Sequence, residues 1–505
     1  MPQGILPFQY GDEKTGSGMT ALAGLPLYLE LAQVAGVPAS IRRHVRVAGS
    51  QGWDDVGLVL ALLLLQVAGG EAVEDLRVLE HDAGFRAVLR RVERYGMPRR
   101  QRAGVARRWR KPRTRVVPSP SAVFRYLAGF HDASGVVGQQ GRAIIPPPTP
   151  GVQGLARVNR DLVAWVQRCR PQGVATLDMD ATLIESHKRE ALFCYEHYQG
   201  YQPLTTYWAE HGLVLHSEFR DGNVPAGHEQ ERVLREALAL VPPGVQRVRL
   251  RSDTAGYQHE LLRYCAEGKH PRFWVIEFAV GVDVTAAFKA AVAEVPAADW
   301  QPLERVVDGH RLPTGQEWAE VCFVPNWVGQ HKDGPTYRFL AVREPLAQRS
   351  LPGLEAEVQR PFPTITLQQQ QYKLHGVVTN RNLTGDVVIR WYRERCGKGE
   401  EVHKVLKEDL AGGVLPSGRF GANAAWWAIT VLAHTLHVAL QRVALAPGWL
   451  GKRLKAMRFA LIGLPGRVVS HARGLWIRLS QGHPALAVLL GARERLLAVA
   501  RGSPG

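Results

Sequence analysis

The sequence predicts an α/β chain in which a helical N-terminal domain precedes a mixed sheet with helices packed on it. Three observations predict this. Apolar residues recur at helical spacing from Met19 to Tyr95, between glycines and polar turns. After Pro171 the apolar period drops to two, with helical stretches interleaved. From Glu294 to Thr384, short apolar runs such as WAEVCFVPNW and YRFLAVREPL mark a β-rich insertion rather than another helical layer. At 505 residues, 46% of them hydrophobic, the chain can build one large domain with additions or two to four domains.

In chain order, residues 1–98 read as a helical N-terminal domain able to dock DNA, and only the first fifteen or so residues read as disordered. The most apolar run, VGLVLALLLLQVAGG (Val56–Gly70), is too short to span a bilayer and reads as a buried helix. Between Arg99 and Arg115 nine of seventeen residues are Arg or Lys and none is acidic. Gly104 and Pro112 argue against a long rigid helix there, so 99–118 reads as a basic arm. SPSAVFRYLAGF and LARVNRDLVAWVQRC make 119–170 a helical connector. Over 171–293 the predicted order is β-β-β-α-β-α-β. GVATLDMDATLIES forms the first strand, with Asp180 near its middle, and Asp253 lies beyond the fourth. The insertion occupies 294–385, and helix returns over 386–445, where GANAAWWAITVLAHTLHVALQRVAL reads as the core helix. A strand pair near RVVSHARGLWIRLS and a final helix, LAVLLGARERLLAVA, fill a C-terminal region over 446–505 assigned to dimerisation.

Lys and Arg number 63 against 46 Asp and Glu, a net charge of +17 that favours a polyanionic partner, nucleic acid before membrane surface. Five cysteines, none in a C-x-x-C pair, fit a reducing compartment and argue against a disulfide framework or structural zinc. MPQGILPFQYGDEK has no basic-then-apolar signal-peptide order. The expectation is a cytoplasmic, nucleoid-associated protein without a membrane partner.

Acidic residues at three distant places carry the chemistry. In LDMDAT, Asp178 and Asp180 share one strand face, where carboxylates are costly unless a cation accompanies them; periodicity does not choose between them. In RLRSDTAG, Asp253 lies just past a predicted strand, where ligands gather in open α/β sheets. YRERCGKGEEVHKVLK, Tyr392 to Lys407, holds eight formal charges. Glu400, His403, Lys404 and Lys407 fall on one side of a helix there, while Val402, Val405 and Leu406 cover another. Three such carboxylates suit a two-metal phosphoryl-transfer site, and oxygen ligands without a His/Cys cluster suit Mg2+ or Mn2+.

These segments resemble the DDE-type insertion-sequence transposases with a ribonuclease-H-like catalytic domain. More narrowly, they are similar to the group with a β-rich insertion before the glutamate and the signature Y-x2-R-x3-E-x6-K. Tyr392 and Arg395 match its first half and Glu400-x6-Lys407 its second; Asp180, followed by Ala181-Thr182, and Asp253 in RSDTAGY match the two aspartates. One departure stands out: four residues, not three, separate Arg395 from Glu400, which in an unbroken helix turns the two about 100° further apart. Cys396-Gly397-Lys398-Gly399 lies between them, and a bulge or helix start there restores the alignment.

The resemblance implies a ribonuclease-H-like mixed sheet, its core split between 171–293 and 386–445. It implies two Mg2+ ions on Asp180, Asp253 and Glu400, and DNA phosphates on Tyr392, Arg395, Lys404 and Lys407. The activity implied is binding of terminal inverted repeats, cleavage of element ends and joining of 3′ hydroxyls to target DNA, by a homodimer on paired ends. Arg107, Arg108, Arg110 and Lys111 of the arm would track phosphates on double-stranded DNA, with Trp109 free to stack. Rival readings are a hydrolytic nuclease on the same fold and a non-catalytic DNA-binding protein derived from a transposase. Trp208 and Trp391 are expected in core packing rather than stacked on a flipped base.

Overall fold

The structure, a computed structural model, describes residues 18–93, 95, 97–132, 143, 145–307, 309–325, 337–346, 360–471 and 474–502. The expectation for the first fifteen residues lies outside these. The chain divides into two compact units, one of Pro171–Leu183 and Gln202–His403, the other of Met1–Arg170, Ile184–Tyr201 and Lys404–Gly505.

The first unit holds a mixed sheet whose described strands number ten. In chain order they are β1 (Val174–Ala181), β2 (Leu204–Trp208), β3 (Leu213–Glu218), β4 (Arg247–Ser252), β5 (Glu277–Val282), β6 (Gln301–Val307), β7 (His310–Val321), β8 (Arg338–Pro345), β9 (Thr364–Leu367) and β10 (Gln370–Thr379). Their spatial order is β6-β7-β8-β10-β5-β4-β1-β2-β3, with β9 pairing on β10. β4 runs parallel to both β1 and β5, and the remaining pairings are antiparallel. Helices Gln230–Leu240 and His259–Ala266 make the crossovers that parallel strands require. This is the ribonuclease-H-like order, and the β-rich insertion continues the same sheet through β10 beside β5.

One strand departs from expectation. Residues 173–186 read as a single strand, yet β1 stops at Ala181, and Ile184–Glu185 pairs with Gln199–Tyr201 in a small separate sheet. β2 begins at Leu204, opposite Ala181, so the ladder has no antiparallel partner further on. Asp180 therefore stands at the end of its strand, not near the middle.

Helix α1 (Gly385–Arg393) packs on the insertion side of this sheet. Val388, Ile389 and Tyr392 share one face and bury themselves among Ala279, Leu303, Trp318, Leu340, Val342 and Val377. Burying each large apolar side chain contributes roughly 1.5–3 kcal/mol. That packing fixes where the charged segment after Arg393 begins.

In the second unit the apolar helix Phe420–Ala439 buries 18 of its 20 residues, as its composition required. It packs on Pro150–Cys169 and Asp55–Ala68, and Gln66 Nε2 donates to Thr430 Oγ1 at 3.0 Å. Segments more than three hundred residues apart thus share one core, and the division between units falls inside 386–445. Asp55–Ala68 is the expected buried helix, and among the described residues no single helix is long and apolar enough to cross a membrane. The expected strand pair forms as Gly466–His471 and Gly474–Arg478, joined by Met19–Thr20.

The basic arm contains a helix, Arg99–Arg107, with no buried residue. Arg107, Arg110 and Lys111 are exposed. Arg108 is not free in the same way: its guanidinium donates to the carbonyls of Gly49, Gly52 and Trp53 at 2.5, 2.9 and 3.0 Å. Trp109 meets Trp53 edge-on at 5.5 Å, and Arg113 lies 4.4 Å over Trp53 while pairing with Glu93. The arm's second half is therefore anchored by its own arginines and tryptophan.

Candidate active site

β1 and β4 are in parallel register, with Asp178 opposite Arg251 and Met179 opposite Ser252. One step further, that register sets Asp180 beside Asp253, the first residue after β4, on strands about 4.8 Å apart. Two charged pairs thus occupy the same face of the same two strands. In the inner pair, Arg251 grips Asp178 bidentately at 2.6 and 2.9 Å, and both side chains are at most 3% exposed. Arg251 also donates to the Trp391 carbonyl at 2.7 Å, which ties β4 to the end of α1. Asp178 is committed to the fold.

The outer pair is two acids. The Asp180 carboxyl is pushed up to about 6, chiefly by burial; the Arg395 guanidinium opposes the shift and Asp253 adds to it. Asp253 caps the turn Thr254–Gly256, its Oδ1 accepting from the Ala255 amide at 3.0 Å. On β5 the chain is glycine where it meets this turn: a Cβ on Gly281 would lie 2.9 Å from the Tyr392 hydroxyl and 3.1 Å from the Thr254 nitrogen. Tyr392, expected at DNA phosphates, is only 4% exposed and stacks on His375 at 5.7 Å. Burial pushes the Tyr392 phenol up to about 12 and His375 down to about 4, so both are neutral at pH 7. Asp283, just past β5, has its carboxyl raised by burial and by Asp253. A cavity of about 470 Å3 is lined in part by Thr254, Asp283, Phe362, Lys373, His375 and Arg393.

The extra residue after Arg395 is accommodated by a break. α1 ends at Arg393, Gly397 takes φ 85°, and α2 (Lys398–Lys404) starts afresh. Arg395 then reaches within 3.9 Å of Asp180 Oδ1, and His403 Nδ1 within 3.8 Å of Oδ2. A Cβ on Gly399 would lie 3.7 Å from the same Oδ2. Gly399 and His403, one turn apart, define the face of α2 turned to Asp180. At about 100° per residue, Glu400 lies about 80° from the centre of that face and Glu401 about 180° from it. Both glutamates are exposed, and Glu400 makes no hydrogen bond or ion pair among the described residues. Lys404 is exposed, while Lys407 lies in the π-helical turn Val405–Asp409, where the 3.6-residue period no longer holds.

The structure therefore brings Asp180 and Asp253 together, with Arg395 and His403 beside them, and leaves Glu400 on the neighbouring helix start. Among the described residues no three His, Cys, Asp or Glu side chains form a metal-holding group. The donor set nonetheless fits a hard divalent cation: two adjacent carboxylates, one with raised proton affinity, lack a metal's worth of positive charge.

Sequence reasoning did not assign Arg251, Gly281, Asp283 or His403 to the site. Arg251 left no signal of its own, since it is one of three alternating arginines in the strand RVRLRS. Trp208 is fully buried and donates to the Val174 carbonyl at 3.2 Å. Trp391 lies between Arg251 and Arg381, at 5.3 and 4.1 Å, and packs on the core. Both serve packing, as expected.

The first unit is thus a ribonuclease-H-like sheet with an acid pair across the ends of its central parallel strands. The chain belongs to the family described as Transposase DDE domain group 1, which matches residues 12–322 and 360–500. It is thus a DDE-family transposase, and such transposases generally use divalent metal ions to cut DNA. No curated protein matches the sequence. Among solved structures, a cryo-EM structure of the piggyBac transposase synaptic complex with hairpin DNA is similar at 10% identity and a TM-score of 0.43, over 90% of this chain and 81% of that one.

Proposed function

We propose that this transposase acts for an insertion sequence in the cytoplasm, at the nucleoid. Two copies bind the terminal inverted repeats, cut the element ends and join the 3′ hydroxyls to target DNA. The observation that carries the reading is the register that sets Asp180 beside Asp253 while Asp178, two residues back, is ion-paired to Arg251. Asp180, Asp253 and Glu400 would hold two Mg2+ ions, or Mn2+, and the ions would supply the positive charge that activates an attacking hydroxyl and stabilises a leaving 3′ oxygen.

The chain's own groups do the positioning. Arg395, beside Asp180, orients the scissile phosphate as a fixed guanidinium fork. Tyr392, buried against Gly281, holds the Asp253 turn in place from behind. Exposed Lys404, with Lys407, lies along the DNA backbone, and Arg107, Arg110 and Lys111 extend that track. These contacts carry little sequence information.

The test is a Mg2+ cleavage and joining assay on element ends, run at matched end occupancy. Asp180→Asn should bind ends and neither nick nor join them. Cleavage without joining by the wild type would assign a hydrolytic nuclease. In the same binding assay, neutralising Arg107, Arg110 and Lys111 should flatten the salt slope by up to about three. Arg108 is left intact because its carbonyl bonds hold the fold.

A further inference from the structure

We infer that the outward face of the small sheet formed by Met19–Thr20, Gly466–His471 and Gly474–Arg478 binds unpaired, single-stranded nucleic acid, with a base stacked on Trp476 and phosphates on Arg478 and Arg467. The inference goes beyond the proposed function and rests on none of its catalytic assignments. Between Asp409 and Glu494 the sequence has ten Lys and Arg residues and no Asp or Glu. The partner that suits such a stretch is a polyanion. The sheet lies within it. Its inner face is taken: Thr20 and Val468 are buried there, and the helix Ala83–Glu93 packs so closely that a Cβ on Gly84 would lie 2.9 Å from the Thr20 Cβ.

Strand alternation puts Arg467, Val469 and His471 on the outward face, with Gly474, Trp476 and Arg478 beside them. Across the register Arg467 stands opposite Arg478, Val469 opposite Trp476, and Met19 opposite Arg467 on its other side. Arg467, His471 and Arg478 are exposed, and Trp476 is 56% exposed. None of these residues is acidic. Gly474, two positions before Trp476, leaves one side of the ring bare: a Cβ there would lie 3.5 Å from the indole Nε1. The result is an aromatic platform open on one side, with two guanidinium-bearing residues about 7 Å along the strands on the other.

The chemistry of the face selects the occupant. A sheet that presents an aromatic ring outward can stack any base, because every base has a π-face. Guanidinium groups take the phosphate oxygens of the same strand. In a duplex the bases are stacked on one another and unavailable to the indole, so a paired helix would use the arginines and leave Trp476 bare. An anionic lipid surface would also suit the charge, but a membrane anchor needs a broad apolar face. Here the other apolar residues facing outward are Met19 and half-buried Val469.

Fluorescence anisotropy of the full chain in chelator tests this, with oligothymidylate and oligouridylate of about twelve nucleotides and a duplex of equal length as probes. Trp476→Leu should weaken single-strand binding at least about tenfold and leave duplex binding unchanged, with an unaltered circular dichroism spectrum. Trp476→Phe, which keeps a stacking ring, should retain most of the affinity. Arg478→Gln should flatten the salt slope on oligothymidylate by about 0.7. An oligonucleotide carrying 5-iodouracil should cross-link under ultraviolet light to the peptide containing Trp476, identified by mass mapping. A loss on either DNA or RNA supports the inference, and the larger loss says which strand the face takes. An unchanged single-strand affinity in Trp476→Leu, or an equal loss on the duplex, would overturn it. So would binding to phosphatidylserine vesicles that depends on Trp476 while oligonucleotide binding does not. Because chelator prevents cleavage, failure here leaves the catalytic reading untouched.

Discussion

Two levels of one strand pair, a single residue pair apart, behave as opposites. At the inner level Asp178 meets Arg251, both buried, both charges cancelled by two short bonds. At the outer level Asp180 meets Asp253, and two acids share a place with incomplete compensation from Arg395. The backbone, the strands and the face are the same. What differs is the partner across the register: a buried cation for Asp178 and a second acid for Asp180.

The largest effect should come from breaking the inner level. Arg251→Met leaves Asp178 buried and unpaired and should cost about 3–5 kcal/mol, read by urea unfolding. Asp178→Leu combined with Arg251→Met should recover most of that loss. A single variant as stable as the wild type would mean that the inner level does not hold the fold.

At the outer level the sign reverses: removing the charge should stabilise. In chelator, between about pH 4 and 6, folded Asp180 keeps a proton that the unfolded chain, with an ordinary carboxyl near 3.9, has released. The folded state then binds more protons, so stability falls as pH rises through this window, by up to about 3 kcal/mol, and levels off above it. Asp180→Asn should show a smaller fall, what remains coming from the raised carboxyls of Asp178 and Asp283, and should exceed the wild type at pH 7. A wild-type curve that rises from pH 4 to 6 in step with the variant's would refute the raised carboxyl.

A divalent cation should supply what the outer level lacks. Mg2+ or Mn2+ at ten times its Kd should stabilise the wild type by about 1.4 kcal/mol at pH 7, seen as a raised Tm. The rise should vanish in Asp180→Asn. An equal rise in both proteins would place the ion elsewhere.

The smallest effect separates the adjacent glutamates. Glu400→Gln should reduce the metal-induced rise by under about 1 kcal/mol, a several-fold loss of affinity. Glu401→Gln, on the side of α2 turned away from Asp180, should leave it unchanged. The reverse pattern would shift the third ligand by one residue.

Much of this was legible beforehand. The alternation of LDMDAT, the polar stop after VRLRS and the apolar face of DVVIRWY are local patterns, and local patterns survive folding. The over-long strand 173–186 was misjudged because no glycine or proline punctuates it; its end was set by where β2 begins, a fact of pairing. Arg108 looked like one more phosphate ligand until the fold supplied three carbonyls for it.

By itself the sequence determined most of the strands and helices, that acids stand on one strand face and at one strand end, and that two glycines after Arg395 disfavour a regular helix there. Periodicity, glycine content and charge are properties of neighbours along the chain, and they need no distant partner to be expressed. The tertiary structure alone decided that Arg251 takes Asp178 and leaves Asp180 beside Asp253, and that Arg395 and His403 close on that acid pair. Those pairings join residues 73 or more positions apart. The parallel register behind them is set by how crossover helices and the insertion strands pack, because a one-residue slip would turn every side chain of β1 to the wrong face.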